Sequence, residues 1–297
     1  MKKNRIFFYK VIALLVLLVV STVSCVQKEV VQPQREPAKF AVVLGGGAAR
    51  GFAHIGVLKI LESNKIPITM IVGTSAGSFV GCLYAYGFDA FQIQKISLDI
   101  ERGDIADFTI PDNGFIKGDL LEEYVNKMLR NTPMEKLRIP FYAVATDIQT
   151  GKEMVFARGN TGKAVRASCA IPGVFNPVRI GDRMYVDGGV VSPVAVDVAK
   201  RLGADIVIAI DISSELETTQ PSGTIDTILQ SINIMSSKIS VTQLSRADVV
   251  IRPAVGRIGS GDFSKRHEAI LEGEKAALQS LPKIQEIMAR LKREGRL

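Results

Sequence analysis

Short runs of consecutive apolar residues alternate along this chain with longer stretches in which apolar positions recur every three or four residues. The runs Phe40–Leu44, Thr69–Val72, Phe141–Thr146, Met184–Val186, Ile206–Ile210 and Val249–Ile251 are rich in Val and Ile and carry few charges. Continuous apolar runs of this length suit strands buried on both faces. Helical periodicity covers about 53–64, 76–87, 118–130, 193–202 and 264–294. Strands alternating with helices predict an α/β fold, a mostly parallel central sheet with helices on both sides. Segments 103–117 and 212–223 carry the strongest loop signals and are candidates for mobile cover over a site. No internal repeat interrupts this order.

The pattern before Lys39 is different. Lys2, Lys3, Arg5 and Lys10 precede the unbroken apolar run Val11–Val20, and the small-residue stretch Ser21, Thr22, Val23, Ser24 leads to Cys25. A basic start, an apolar core of ten residues and small residues after it predict an export signal over residues 1–24. The core is shorter than the ~18 residues a spanning helix needs; an uncleaved membrane anchor is the alternative. A Cys directly after the small residues resembles a bacterial lipoprotein signal, which implies a diacylglyceryl group on Cys25. Thr22 stands where Leu is usual in that pattern, and cleavage at a neighbouring small residue would instead release a soluble protein. Residues 25–38 are polar, include Pro33 and Pro37, and show no periodic apolar face, so they read as a lipidated Cys and tether. Residues 39–297 form the expected folded domain, held at a membrane in the cell envelope on the exported side. Val26, rather than Asp, after the Cys resembles the sorting pattern of outer-membrane lipoproteins.

Composition adds little beyond this. With 47% hydrophobic and 23% charged residues, the 297-residue chain has ordinary globular content, and the part after the signal suits one α/β core. The formal +7 includes the positives at Lys2, Lys3, Arg5 and Lys10 with no acid among residues 1–24, so their removal leaves +3. So mild a balance gives no reason to expect nucleic acid as a partner. Cys82 and Cys169 are too few for a disulfide framework, though a single bridge between them is possible.

Three glycine-rich blocks carry candidate chemistry. The first in argument is Gly73-Thr74-Ser75-Ala76-Gly77, between an apolar run and an apolar helix. A nucleophile exposed on a sharp strand-to-helix turn needs a strained backbone, with glycines two residues either side so that strand and helix can approach. The helix N-terminus adds a field that favours negative charge; a capping Ser in a tight turn is the plain alternative. The second block, Gly45-Gly46-Gly47-Ala48-Ala49-Arg50-Gly51, follows the run Phe40–Leu44. Consecutive glycines let backbone N–H groups converge on an anion, which in acyl transfer is the oxygen of the tetrahedral intermediate. The dinucleotide fingerprint would put Gly where Arg50 stands, and a P-loop needs Gly-Lys-Ser/Thr, so neither fits. Arg50 either meets a substrate anion or locks the loop. The third block is Asp187-Gly188-Gly189 after the run Met184–Val186. Its Asp can point into the crevice at a strand's end, or the pair can be an ordinary turn.

Taken in order and context, the three blocks resemble the patatin-like phospholipases. The likeness extends through Ala145–Gly151, Ala164–Val178 and Leu202–Asp211, and spans about 39 to 280. The resemblance implies a three-layer α/β/α fold that needs no metal or cofactor, and a Ser75–Asp187 dyad. Ser75 would attack an acyl carbonyl with Asp187 as its base. Gly45, Gly46, Gly47 and the N–H of Ala76, after the Ser, would form the oxyanion hole. Lipid esters such as phospholipids, lysophospholipids or acylglycerols are the implied substrates. Transfer of the acyl group to an alcohol or thiol, or a non-catalytic binding role for the lipoprotein, are the alternatives.

The order Ser75, Asp187, His267 also matches the triad of α/β-hydrolases. His267 lies in the charged segment Ser264–Glu268, however, where a solvated position is expected. His54 falls early in the helix after the glycine loop and reads as a packing or capping residue. Asp147, Arg166 and Ser168 are expected to support the pocket, and the basic, amphipathic Lys283–Arg296 stretch to cover the sheet with its outer face in water.

Overall fold

The computed structural model describes residues 2–22, 35–110, 113–213 and 223–297. Met1–Glu36 and Pro37–Leu297 form separate compact units. The first contains helix α1 (Lys2–Thr22), and no helix among the described residues is long and apolar enough to cross a membrane. Cys25 and the tether up to residue 34 lie outside the described residues, as does most of the loop expected over 212–223.

Among the described residues of the second unit, eight strands form one sheet in the order β5–β6–β3–β2–β1–β7–β8, with β4 added to β3. Strands β1 (Phe40–Leu44), β2 (Met70–Thr74), β3 (Phe141–Asp147), β7 (Ile206–Ile210) and β8 (Val249–Ile251) run parallel. Strands β4 (Glu153–Phe156), β5 (Val178–Ile180) and β6 (Arg183–Asp187) enter antiparallel. Alternation along the strands divides the interior into two cores. Phe40, Val42 and Leu44 of β1 face one core together with helices α2 (Phe52–Ser63), α3 (Ala76–Tyr86) and α9 (Arg266–Arg293). Ala41 and Val43 face the other, which α7 (Val196–Arg201) closes. The sheet is therefore mixed and mostly parallel, with helices on both sides, as the alternation of runs predicts.

Packing on the α2 side is unusually close. A Cβ at Gly56 would lie 1.9 Å from the Ile270 carbonyl oxygen, and one at Gly273 2.0 Å from that of Ala53. Helices α2 and α9 thus cross backbone against backbone at these two glycines, which draws the long terminal helix onto the element that follows the glycine loop.

The register on β3 decides where the site forms. Ala145 pairs with Met154 of β4 and with Asp187 of β6, so those strands lie on opposite edges. Val144 pairs with Val155 of β4 and with Thr74 of β2. Strands β2 and β6 therefore share one edge of β3 and meet end to end, β2 stopping at Thr74 and β6 arriving from the other direction at Asp187. Sequence reasoning puts Asp187 at a strand's end without giving that strand a direction; β6 is antiparallel to β3, and this is what brings its last residue against the end of β2.

Three helices go beyond the elements expected from sequence: α4 (Ala90–Asp99), α6 (Thr161–Ser168) and α8 (Thr224–Leu244), with α5 (Asp119–Met128) as foreseen. Segment 103–117 is tied down by isolated bridges from Phe108 to Ile116 and from Ile116 to Phe175.

Candidate active site

Ser75 occupies the single residue between β2 and α3, with φ 53° and ψ −125°. A non-glycine residue at such a φ stores roughly 1–3 kcal/mol of strain that surrounding contacts must offset. Those contacts are visible. The Ser75 N–H donates to Ser168 Oγ at 2.9 Å, and its carbonyl accepts from Ser78 Oγ at 2.7 Å and Ser78 N at 2.8 Å. The flanking glycines permit the approach. A Cβ on Gly77 would sit 2.1 Å from the Leu44 carbonyl oxygen, and one on Gly73 2.5 Å from Ser78 Cα.

Asp187 is held as firmly. Its N–H donates to Ala170 O at 2.9 Å and its carbonyl accepts from Thr146 Oγ1 at 2.9 Å. Gly188 must lack a side chain, because a Cβ there would stand 2.3 Å from the Val144 carbonyl oxygen. Asp187 Oδ1 accepts the Gly189 N–H at 2.7 Å, whereas buried Oδ2 makes no aligned hydrogen bond. Burial pushes the carboxyl up to about 6, against the downward pull of the Ser75 hydroxyl and the Gly189 N–H. The hydroxyl thus acts on the carboxyl without forming a well-directed bond to it, a geometry that commonly tightens only when substrate binds.

The glycine loop lies over this pair, with Gly46 close enough that a Cβ there would be 3.3 Å from Ser75 Cβ. Its amides divide into two groups. Gly45 N–H donates to Ile210 O at 3.1 Å and Gly46 N–H to Pro193 O at 3.0 Å. These two fasten the loop to the ends of β7 and of the segment before α7, which removes them from the four amides that sequence reasoning offers for an oxyanion. Gly47 and Ala76 find no acceptor for their N–H groups among the described residues, and both line the cavity described below. His54 holds the loop from beneath. It is fully buried, and desolvation lowers its pKa to about 4, so the ring is neutral and Nε2–H donates to Gly45 O at 2.8 Å. Arg50 is buried and donates to the Ile258 carbonyl at 3.3 Å, while Ala49 N–H donates to Ser260 O at 3.0 Å, so this stretch is anchored to the segment before α9.

Ser75, Asp187, Gly46, Gly47, Ala76 and Arg50 all line one cavity of about 410 Å³. Its walls are otherwise mainly apolar, with Phe79, Leu83, Ile93, Ile100, Leu121 and Val174 among them. Phe108 also lines it and is 77% exposed, so the cavity wall reaches the surface there. An apolar cavity with a few convergent polar groups at one end is the usual form of a small-molecule site.

A family model, that of the patatin-like phospholipases, matches residues 42–200, more than half of the chain. The chain belongs to this family. An uncharacterised NTE family protein of Mycobacterium tuberculosis is 28% identical over 271 residues, covering 81% of this chain and 46% of that protein. Lysophospholipase NTE1 of Pyricularia oryzae is 30% identical over 279 residues, covering 82% of this chain and 18% of that one. Human patatin-like phospholipase domain-containing protein 6 is 34% identical over 186 residues, 60% of this chain and 14% of its own length. The chain spans about half the length of the mycobacterial relative and less of the others. Among solved structures, VipD from Legionella pneumophila superposes with a TM-score of 0.55 at 14% identity, over 84% of this chain and 67% of that one, and shares the fold.

Of the other residues that sequence reasoning marks, Cys169 lines the cavity, whereas His267, Asp147, Arg166 and Cys82 do not. His267 is exposed on α9 and takes no part in lining it. Asp147 caps the β3–β4 turn through the N–H groups of Gln149 and Thr150 and pairs with Arg183 at 2.7 Å. Arg166 clamps the start of α5 through Asp119 at 2.6 Å and Lys117 O at 2.8 Å. Cys82 and Cys169 are free buried thiols, both pushed far up by burial. The cavity residues that sequence reasoning misses come from α4 and α8, such as Ile93, Leu229 and Ile232. For α4 a signal exists: Asp89 and Gln92 form a reciprocal capping box ahead of it.

Proposed function

We propose that this domain is a serine acyl hydrolase that cleaves carboxylic esters of lipids through a Ser75–Asp187 dyad. The observation that carries the reading is a strained, buried serine whose hydroxyl acts on the Asp187 carboxyl, a group with an unpartnered Oδ2 and a pKa raised to about 6, with both residues lining one apolar cavity. The proton of Ser75 Oγ passes to Asp187 Oδ2 as Oγ bonds to the acyl carbon. The carbonyl oxygen becomes an oxyanion that the N–H groups of Gly47 and Ala76 can receive. Collapse of the intermediate breaks the ester bond, and the departing alcohol takes the proton back from Asp187, leaving the acyl group on Ser75. Water then repeats the sequence: it gives a proton to Asp187, adds to the acyl carbon, and the acid leaves as Ser75 recovers its proton. A carboxylate poised near 6 is a better base at neutral pH than one at its ordinary value, which suits the absence of a histidine from this cavity among the described residues.

The acyl chain would lie along Phe79, Leu83 and Ile93, where burial contributes about 0.8 kcal/mol per methylene. Membership of a phospholipase family and the lysophospholipase name of one relative support a lipid substrate. A serine-reactive fluorophosphonate probe should label the wild-type chain and fail to label Ser75→Ala; undiminished labelling of that variant would sink the reading.

The same proposal includes export and lipid anchoring at Cys25, on the strength of the basic start, apolar core and small residues before it. Cells fed an alkyne fatty acid should incorporate it into the wild-type chain, and a Cys25→Ala chain that still took up label would contradict the anchor.

A further inference from the structure

We propose that Ser168 is a positioning residue for the reaction, its hydroxyl fixing the nucleophile's turn so that the Ser75 hydroxyl faces Asp187. The inference rests on the dyad reading above and concerns what holds the dyad in place.

The turn at Ser75 is strained, and its backbone N–H is at the point where β2 leaves the sheet. Ser168 Oγ accepts that N–H at 2.9 Å and donates its single proton to the Val144 carbonyl at 2.6 Å. The proton's direction follows from the partners, since an amide can only donate and a carbonyl can only accept. Ser168 is fully buried, so water cannot replace either bond. Val144 is the β3 residue level with Thr74, and its carbonyl also lies tightly against Gly188. The hydroxyl therefore stands where the ends of β2 and β6 meet β3.

The residues after Ser168 hold the other member of the pair. Ala170 O accepts the Asp187 N–H at 2.9 Å, and the Sγ of Cys169 lies 3.7 Å from Ser78 Oγ. Ser168 and Ala170, at the end of α6, thus grip the main chain at Ser75 and Asp187, while Cys169 between them meets the Ser78 side chain. The spacing between nucleophile and carboxylate is set by one short segment rather than by two independent loops. Loss of the Ser168 hydroxyl would orphan the Ser75 N–H and the Val144 carbonyl together, and the cheapest relief for the former is relaxation of the φ 53° turn. Misplacement by about 1 Å suffices for a ~10²-fold loss of rate.

The test compares full-length wild type, Ser168→Ala, Ser168→Thr and Ser75→Ala on a long-chain ester across pH 5–9. Ser168→Ala should lose about 10²-fold in kcat with KM little changed. The acid limb of its kcat/KM profile should move to higher pH, because the hydroxyl that pulls the Asp187 carboxyl down has turned away. Ser168→Thr, which keeps a hydroxyl, should recover most of the rate. A Ser168→Ala enzyme with wild-type kcat and an unmoved acid limb would overturn the proposal, even if its thermal stability fell. Residual turnover in Ser75→Ala would bring down the underlying dyad instead, so the two failures are told apart.

Discussion

Asp187→Asn is expected to lower kcat by about 10⁴-fold with KM nearly unchanged, while making the folded chain more stable at neutral and alkaline pH. The rate falls because an amide cannot take the Ser75 proton, and Asp211, the other carboxylate lining the cavity, is paired with Arg252 at 3.2 Å. The stability rises for the same reason that the carboxylate is a good base. Its pKa is raised from 3.8 to about 6 by burial, so the native state prefers the protonated form more than the unfolded chain does. Below about pH 4 both states carry the proton and burial of the group costs little. Between there and pH 6 the unfolded chain ionises first and stability is lost. Above pH 6 the native state holds a buried anion, at a cost of at most about 3 kcal/mol for a two-unit shift. The variant removes that cost. Thermal unfolding should show a higher Tm for Asp187→Asn at pH 8, and the two proteins should converge as pH approaches 4. The wild-type kcat/KM should fall on the acid side with a midpoint near pH 6. A variant that kept its turnover, or a Tm difference independent of pH, would contradict the role assigned to this carboxylate.

That role could be suspected from sequence but not located there. Runs such as Phe40–Leu44 and Ile206–Ile210 are legible because a strand buried on both faces must be apolar throughout, and the nucleophile turn is legible because its strain demands glycines at fixed local offsets. The direction of β6 is not. Met184–Val186 reads the same whichever way it pairs, and only the register on Ala145, some forty residues earlier in the chain, makes it antiparallel and brings Asp187 to the end of β2. Helix α8 is hidden for another reason. Its Ser, Thr, Asn and Ile residues have poor intrinsic helix preference, and burial of the Leu229 and Ile232 side over the cavity outweighs it. Helix α4, by contrast, announces itself through its capping box. The division of labour in the glycine loop is wholly non-local. The three glycine amides look alike in sequence, yet Gly45 and Gly46 donate to carbonyls contributed by Ile210 and Pro193.

That division predicts a second large effect, at Gly47. Replacing it with Ala would set a Cβ 2.7 Å from Ile212 Cδ1 and 2.8 Å from the Ile212 carbonyl oxygen. The side-chain methyl can turn away, but the carbonyl belongs to the segment following β7 and cannot yield cheaply, so the loop must shift and carry its N–H with it. An oxyanion donor displaced in this way costs about 10²–10³ in kcat. The interaction forms only as negative charge develops on the carbonyl oxygen, so KM for an ester should change little. A general loosening of the cavity would weaken substrate and transition state alike, which gives a way to distinguish the two. A trifluoromethyl ketone forms a tetrahedral adduct on Ser75 and presents an oxyanion to the same amides, whereas a non-hydrolysable ether analogue presents none. Gly47→Ala should lose affinity for the ketone in step with its loss of kcat/KM and bind the ether as the wild type does. Equal weakening of both ligands would mean that the loop shapes the cavity and that the oxyanion is received elsewhere.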